Sequence, residues 1–282
     1  MNTSKKIKLL DFNFKKNLWW NLFWVYKTTF IWSGMEFSEI RKYEHGEGVK
    51  NIDWKTTAKK WDLYIKKFEE ERDLNILFAL DISKSMDFWT GEINKKDVMQ
   101  EILYALWMCV VENNDNIGAI IYDEKMQHFI YPQKWYANLY KIIEKMETIG
   151  SEKKDISKVF KEISKRQIKK SVIFILTDDM KIQEEKILKL AWKENQVIIF
   201  HIFDVFENNL FHINTHMTVS FWDDFLNINL NNEQKVEEYK KLRHQKLEDY
   251  KHILQKNNIW YLYLDTSSHV YKELQQYFYK LT

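Results

Sequence analysis

Continuous apolar runs of strand length recur along the chain after residue 72. They lie at Leu74 to Leu80, Ile117 to Tyr122, Val172 to Leu176 and Val197 to Phe203, with a weaker one at Ile259 to Leu264. Between them, apolar positions recur at helical spacing. Val98, Ile102, Ala105, Leu106, Cys109 and Val110 share one helix face, and Asn94 with Asp97 three positions later matches a helix-start signature. Further helical patterns cover Ala137 to Met146, Ile156 to Ile168, Ile182 to Trp192, Val236 to Leu254 and Val270 to Tyr279. Strands apolar on both faces that alternate with helices predict an open α/β fold, a mostly parallel sheet covered on both sides. Ligands of such sheets bind beyond the carboxyl ends of the strands, so the residues just after each run are where chemistry is expected.

Residues 1–72 break this rhythm. They hold a basic start (MNTSKKIKLLDFNFKK), an aromatic segment from Leu18 to Trp32, and a charge-rich stretch. The division expected is an N-terminal segment, 1–72, packed on a main domain, 73–282. The aromatic segment is interrupted by Asn21, Lys27 and two threonines, which favours burial in the protein over a membrane surface. The longest apolar run, Ile102 to Val111, is shorter than the ~18 residues a membrane span needs. The charged start also lacks the apolar stretch of a secretory signal. Cys109 is the only cysteine, so no internal disulfide and no Cys-rich zinc site can form. A cytoplasmic location is expected. Lys plus Arg number 43 against 41 Asp plus Glu, for a net +2, which argues against a protein built to coat nucleic acid. Lysine runs such as Lys59-Lys60 and Lys165 to Lys170 read as solvated faces.

After the first apolar run comes Asp81-Ile82-Ser83-Lys84-Ser85-Met86, and after the third comes Thr177-Asp178-Asp179. Two hydroxyls and carboxylates delivered to one sheet edge can converge on a hard cation such as Mg2+, which takes six oxygens and keeps waters. The same residue types also cap helices, so capping stands as the alternative. Asp-x-Ser-x-Ser after a buried strand resembles the metal-ion-dependent adhesion site (MIDAS) of von Willebrand factor A domains. The surrounding run GMEFSEIRKYEHGEGVKNIDWKTTAKKWDLYIKKFEEERDLNILFALDISKSMDF resembles a bacterial family, domain of unknown function 58. Its hallmark positions here are Arg41, Tyr43, Gly46, Glu47, Ile52, Asp53, Trp54, Ala58 and Lys59. The likeness continues through NNDNIGAIIYDEKM, SVIFILTDDM and VIIFHIFD.

The resemblance implies a von Willebrand A-like, Rossmannoid fold and a non-enzymatic interaction module working with a MoxR-type AAA+ ATPase in chaperone-like assembly or maturation. In related domains a partner's carboxylate completes the metal's coordination. The expected metal set is Asp81, Ser83, Ser85 and Asp178, with Asp179 weaker, for Mg2+ or another divalent cation. Lys154 stands where the pattern expects a third-loop Thr, and its ammonium would repel a dication or stand in for it by pairing with Asp81 and Asp178. Ser151 and Ser157 are substitute donors if the register differs. Lys50 and Lys59 replace the usual Arg, keeping charge but losing its bidentate fork. Trp54 is expected to anchor packing. Whether Arg41, Tyr43 and Asp53 hold the N-terminal segment onto the domain or meet a partner stays open.

The alternative reading is a metal-dependent, phosphatase-like hydrolase using Asp81. Haloacid-dehalogenase-type enzymes need a second acid two residues on, and Ser83 stands there. His201 lies inside an apolar strand and reads as a core histidine, and Cys109 reads as core. No phosphate-cradling Gly-Lys-Ser/Thr loop exists, so ATPase activity would belong to a partner. Finally, Gly numbers 6 and Trp 12, where average usage gives roughly 20 Gly. Trp24, Trp32, Trp61, Trp89 and Trp135 fall where the family typically has Gly. UGA codons that the source organism reads as glycine would explain both counts, against the alternative of a genuinely Trp-rich chain.

Overall fold

The computed structural model describes residues 35–44, 48–70, 74–134, 136–148, 150–179, 193–208, 216–221, 224–229 and 231–281. The expected aromatic segment, Gly46, Glu47, Trp24, Trp32, Trp135 and the helix at Ile182 to Trp192 lie outside them.

An antiparallel pair, β1 (Met35–Lys42) and β2 (Tyr64–Glu70), forms a sheet of its own. A short helix, α1 (Trp54–Lys60), lies between them, capped by Asp53. The main sheet contains β3 (Asn75–Asp81), β4 (Asn116–Tyr122), β5 (Met126–Gln133), β6 (Ser171–Thr177), β7 (Gln196–Phe203) and β10 (Trp260–Asp265). Its order is β10-β7-β6-β3-β4-β5, with only β5 antiparallel. A second antiparallel pair is β8 (His216–Phe221) with β9 (Asp224–Asn229). The helices are α2 (Lys95–Glu112), α3 (Tyr136–Met146), α4 (Ser157–Lys165), α5 (Val205–Asn208), α6 (Glu233–Lys256) and α7 (Val270–Leu281).

Because strand side chains alternate between faces, the buried strands feed two cores. Ile76, Phe78 and Leu80 pack with α2, α3 and α7 on one face. Leu77 and Ala79 pack with α4 and α6 on the other. A row of rings, Phe78, Phe174 and Phe200, crosses β3, β6 and β7 with centroids 5.4 and 5.7 Å apart. Helix α2 begins where expected: the Asn94 side chain accepts from Asp97 N at 2.7 Å and Asp97 returns the bond. This is the open α/β architecture predicted, and the strand order with its antiparallel edge is von Willebrand A-like.

Strand β5 shows no strong sequence signal because it is a half-buried edge carrying Pro132, which central strands exclude. Trp54 corrects an expectation. It sits at the first position of α1 with 65% of its surface exposed and anchors no packing among the described residues. Trp61 ends α1 in the left-handed region at φ 60° and is 93% exposed, while Trp89 is 60% exposed. A φ of that sign favours glycine, and neither indole contributes to the core.

Candidate functional site at the carboxyl edge of the sheet

The parallel registers set Leu80 opposite Leu176 and Asp81 opposite Tyr122, so β3 and β6 end at the same level. Asp81 and Asp178 are thereby delivered side by side. Asp81 is fully buried; its Oδ1 accepts from Ser83 N at 2.9 Å and its Oδ2 from the Thr177 hydroxyl at 2.7 Å. Thr177 Oγ1 in turn accepts from Asp179 N at 2.9 Å. The Ser83 and Ser85 hydroxyls lie 3.0 Å apart, and Ser85 donates to Asp178 Oδ1 at 3.0 Å. The expected residues Asp81, Ser83, Ser85 and Asp178 therefore form one continuous hydrogen-bonded chain. Asp179 is buried beside it.

The third loop joins this rim through Gly150. A Cβ there would overlap the Ile82 carbonyl, so only glycine permits the approach that lets Lys84 N donate to Ser151 O at 3.0 Å. The same approach presents Lys154, whose ammonium pairs with Asp178 Oδ1 and donates to Ser85 Oγ at 3.1 Å. Of the two carboxylates the sequence suggested as partners of Lys154, it pairs with Asp178, while the Asp81 oxygens accept from Ser83 N and Thr177. The alternatives do not reach the cluster. The Ser151 hydroxyl donates to the Lys153 carbonyl, and Ser157 is buried at the start of α4.

Four further side chains complete the site, and the sequence reading missed them. Lys95, 1% exposed, pairs at 2.7 Å with Asp178 Oδ2 and at 2.7 Å with Glu207 Oε1. Glu207 also receives Arg243 at 3.4 Å. Thr177 holds Asp81, as described. Two signals were available. A lysine in the first turn of α2 opposes the helix dipole unless an acid compensates it, and Glu207 lies in the short helix α5 just beyond the β7 run, at the edge where ligands gather. His201 is buried on β7, with Nε2 3.1 Å from the Asp178 carbonyl. That contact, and not a serine hydroxyl, is its partner, in keeping with a core histidine.

Burial by itself would raise the Asp178 carboxyl, but the Lys154 and Lys95 ammoniums hold it well below the usual carboxylate range. Burial would likewise lower both lysines, yet Asp178 with its acidic neighbours keeps each above its ordinary value. Asp81 is raised, first by burial and then by the Asp178 charge. His201 is pulled down to about 3, first by burial and then by Arg243.

A divalent cation does not fit this donor set. Both Asp178 oxygens are engaged by ammoniums, both Asp81 oxygens by protein donors, and the third-loop ligand is itself a cation. Among the described residues, no group of three or more His, Cys, Asp or Glu is disposed to hold a metal ion. No helix among them is long and apolar enough to cross a membrane.

The described hallmark residues of the N-terminal part lie elsewhere. Asp53 accepts from Lys55 N at 3.1 Å and from the Thr56 hydroxyl at 2.8 Å, and the Thr56 bond lowers its pKa. Arg41 pairs with Glu44 at 3.3 Å, Tyr43 N donates to the Leu63 carbonyl, and Lys50 and Lys59 are exposed. Asp53 is thus a helix cap, a structural role.

The chain resembles uncharacterized proteins of Mycobacterium tuberculosis (strain ATCC 25618 / H37Rv) and Mycobacterium bovis, each 28% identical over 88 residues, 31% of this chain. The match spans only 28% of those relatives' length. Among solved structures, the conserved hypothetical protein BatB from Bacteroides thetaiotaomicron is 17% identical, with a TM-score of 0.44 over 74% of this chain and 98% of that one. The SpRpn10 VWA domain is 8% identical, with a TM-score of 0.43 over 71% and 93%. These superpositions are loose, and it is the strand order that identifies the von Willebrand A-like topology. The model of the family described as "Protein of unknown function DUF58" matches residues 39–247, well over half of the chain, and the chain belongs to that family.

Proposed function

We propose that this protein is a non-enzymatic interaction module that receives an acidic side chain of a partner at the Ser83–Ser85–Lys154 rim, and that the partner is a MoxR-type AAA+ ATPase acting in assembly or maturation. A cytoplasmic location goes with such a partner. The observation that carries the reading is Lys154. Its ammonium has three N–H donors, two of which are engaged by Ser85 and Asp178, and its side chain keeps 21% exposure. A cation held at the rim by Ser85 and Asp178 is preorganised to meet a carboxylate, so little side-chain freedom is lost on docking.

The geometry speaks against the phosphatase-like alternative. Asp81 has no exposed surface, and each of its oxygens already accepts a bond.

The test is binding of the purified full chain to the purified MoxR-type ATPase from the same organism, read on a biosensor surface. Lys154→Ala is expected to weaken binding at least tenfold, because a charge-assisted bond is lost, while Lys145→Ala, a partly exposed lysine in the last turn of α3, leaves it unchanged. Absence of binding by the wild type overturns the partner, and equal binding by Lys154→Ala overturns the rim. Hydrolysis of a model phosphoester by the purified chain, abolished in Asp81→Asn, would favour the enzyme instead.

A further inference from the structure

We infer that the Lys154 ammonium is the resident cation of this site, built into the chain in place of a divalent ion, so that the rim works without metal. The contacts carry the inference. A dication at an Asp-x-Ser-x-Ser loop would draw on the two serine hydroxyls and on the carboxylate arriving from β6. Lys154 Nζ bonds Ser85 Oγ at 3.1 Å and pairs with Asp178 Oδ1, so it already engages two of those oxygens. The second oxygen of Asp178 is closed off from the other side by Lys95 at 2.7 Å. A divalent ion entering here would have to displace one ammonium and tolerate another across a single carboxylate. At such separations the repulsion between like charges is several-fold larger in a protein interior than in water.

Lys154, rather than Lys95, occupies the ion's position. Lys95 comes from the first turn of α2, and its other bond runs away from the serine loop to Glu207. Lys154 comes from the third loop, the one that Gly150 brings against Ile82, and it alone of the two touches a hydroxyl of the Asp-x-Ser-x-Ser loop.

The inference concerns the chain alone and is tested without a partner, so its failure is separable from failure of the proposed function. Mn2+ is titrated into the full-length wild type and into Lys154→Thr, which removes the ammonium and leaves an oxygen on the same loop. Binding is read by calorimetry and by paramagnetic broadening of the Ser85 and Asp178 amide resonances. No binding and no broadening are expected for the wild type, and both are expected for the variant. Broadening in the wild type overturns the inference, and so does a folded variant that leaves these two resonances sharp. If Lys154→Thr unfolds in EDTA, its melting in Mg2+ decides. Recovery of the cooperative transition in Mg2+ supports the replacement, and an unfolded chain in both buffers overturns it.

Discussion

Lys95 offers the sharpest test of how the site is held together. The perturbation is Lys95→Met, which keeps an unbranched apolar stem one atom shorter but removes the charge. Lys95 is 1% exposed, and its partners Asp178 and Glu207 are 6% and 20% exposed, all within 2.7 Å of the ammonium. Removing one member of a buried pair costs about 3–5 kcal/mol, because the partner charge stays behind in a poorly solvated place. Here Asp178 retains Lys154 and Glu207 retains Arg243, so the lower end applies, about 3 kcal/mol. The assay is urea denaturation followed by circular dichroism, with the same measurement on Asp178→Asn and on the double variant. The two single losses are expected to exceed the double loss by about 1–3 kcal/mol, the coupling of residues in one network. Raising the salt should change the coupling little, since buried pairs are poorly screened. Lys84→Ala, which breaks an exposed pair with Glu152, should leave the midpoint where it was. A loss below about 1 kcal/mol in Lys95→Met would refute the reasoning, because no buried charge could then have been left uncompensated.

Two further predictions follow from local geometry. Trp61→Gly should stabilise the protein by about 1 kcal/mol, the cost an L-residue bears in the left-handed region, measured as a shift of the urea midpoint with unchanged slope; the coding DNA should read TGA at this codon, and TGG together with an unchanged midpoint would dismiss the recoding account. His201, with its folded pKa at about 3 and an unfolded value near ~6.5, is a depressed base. The unfolded chain therefore binds its proton first as pH falls, so this contribution is complete above the unfolded value and declines below it by up to about 1.4 kcal/mol per pH unit until the folded pKa is reached. His201→Gln should flatten that slope between about pH 6 and about pH 4, and an unaltered slope would assign the acid sensitivity to other groups.

How much of this was legible depended on where each free-energy term is encoded. Strands β3, β4, β6 and β7 announce themselves because burial on both faces demands apolar residues at every position. Strand β5 is a half-buried edge, so its polar residues carry no such constraint, and the sheet edge decides its conformation. Asp81, Ser83, Ser85 and Asp178 could be found because they sit directly after buried strands. Lys95 and Glu207 could not be paired from sequence, since Lys95 meets Asp178 and Glu207 across separations of 83 and 112 residues. Trp54 was misread because an indole can lie at the first position of a helix and face water, where the Asp53 cap, and not the ring, fixes the turn.

The same distinction bears on what the rim does. A loop of the Asp-x-Ser-x-Ser type states which oxygens are present but not which cation they hold, because the cation comes from outside the motif. On the inference drawn above, a third-loop residue, Lys154, supplies it covalently in this chain. Such a cation cannot dissociate, cannot be exchanged or chelated, and occupies its place at every metal concentration. An interaction surface built this way loses any dependence on metal supply. It also loses the Lewis acidity by which a divalent ion would activate water or a phosphate oxygen. Both consequences belong to the proposed reading: a lysine that stood in for the ion would leave a positive group at the rim to bind an acid while withholding a metal's Lewis acidity from Asp81.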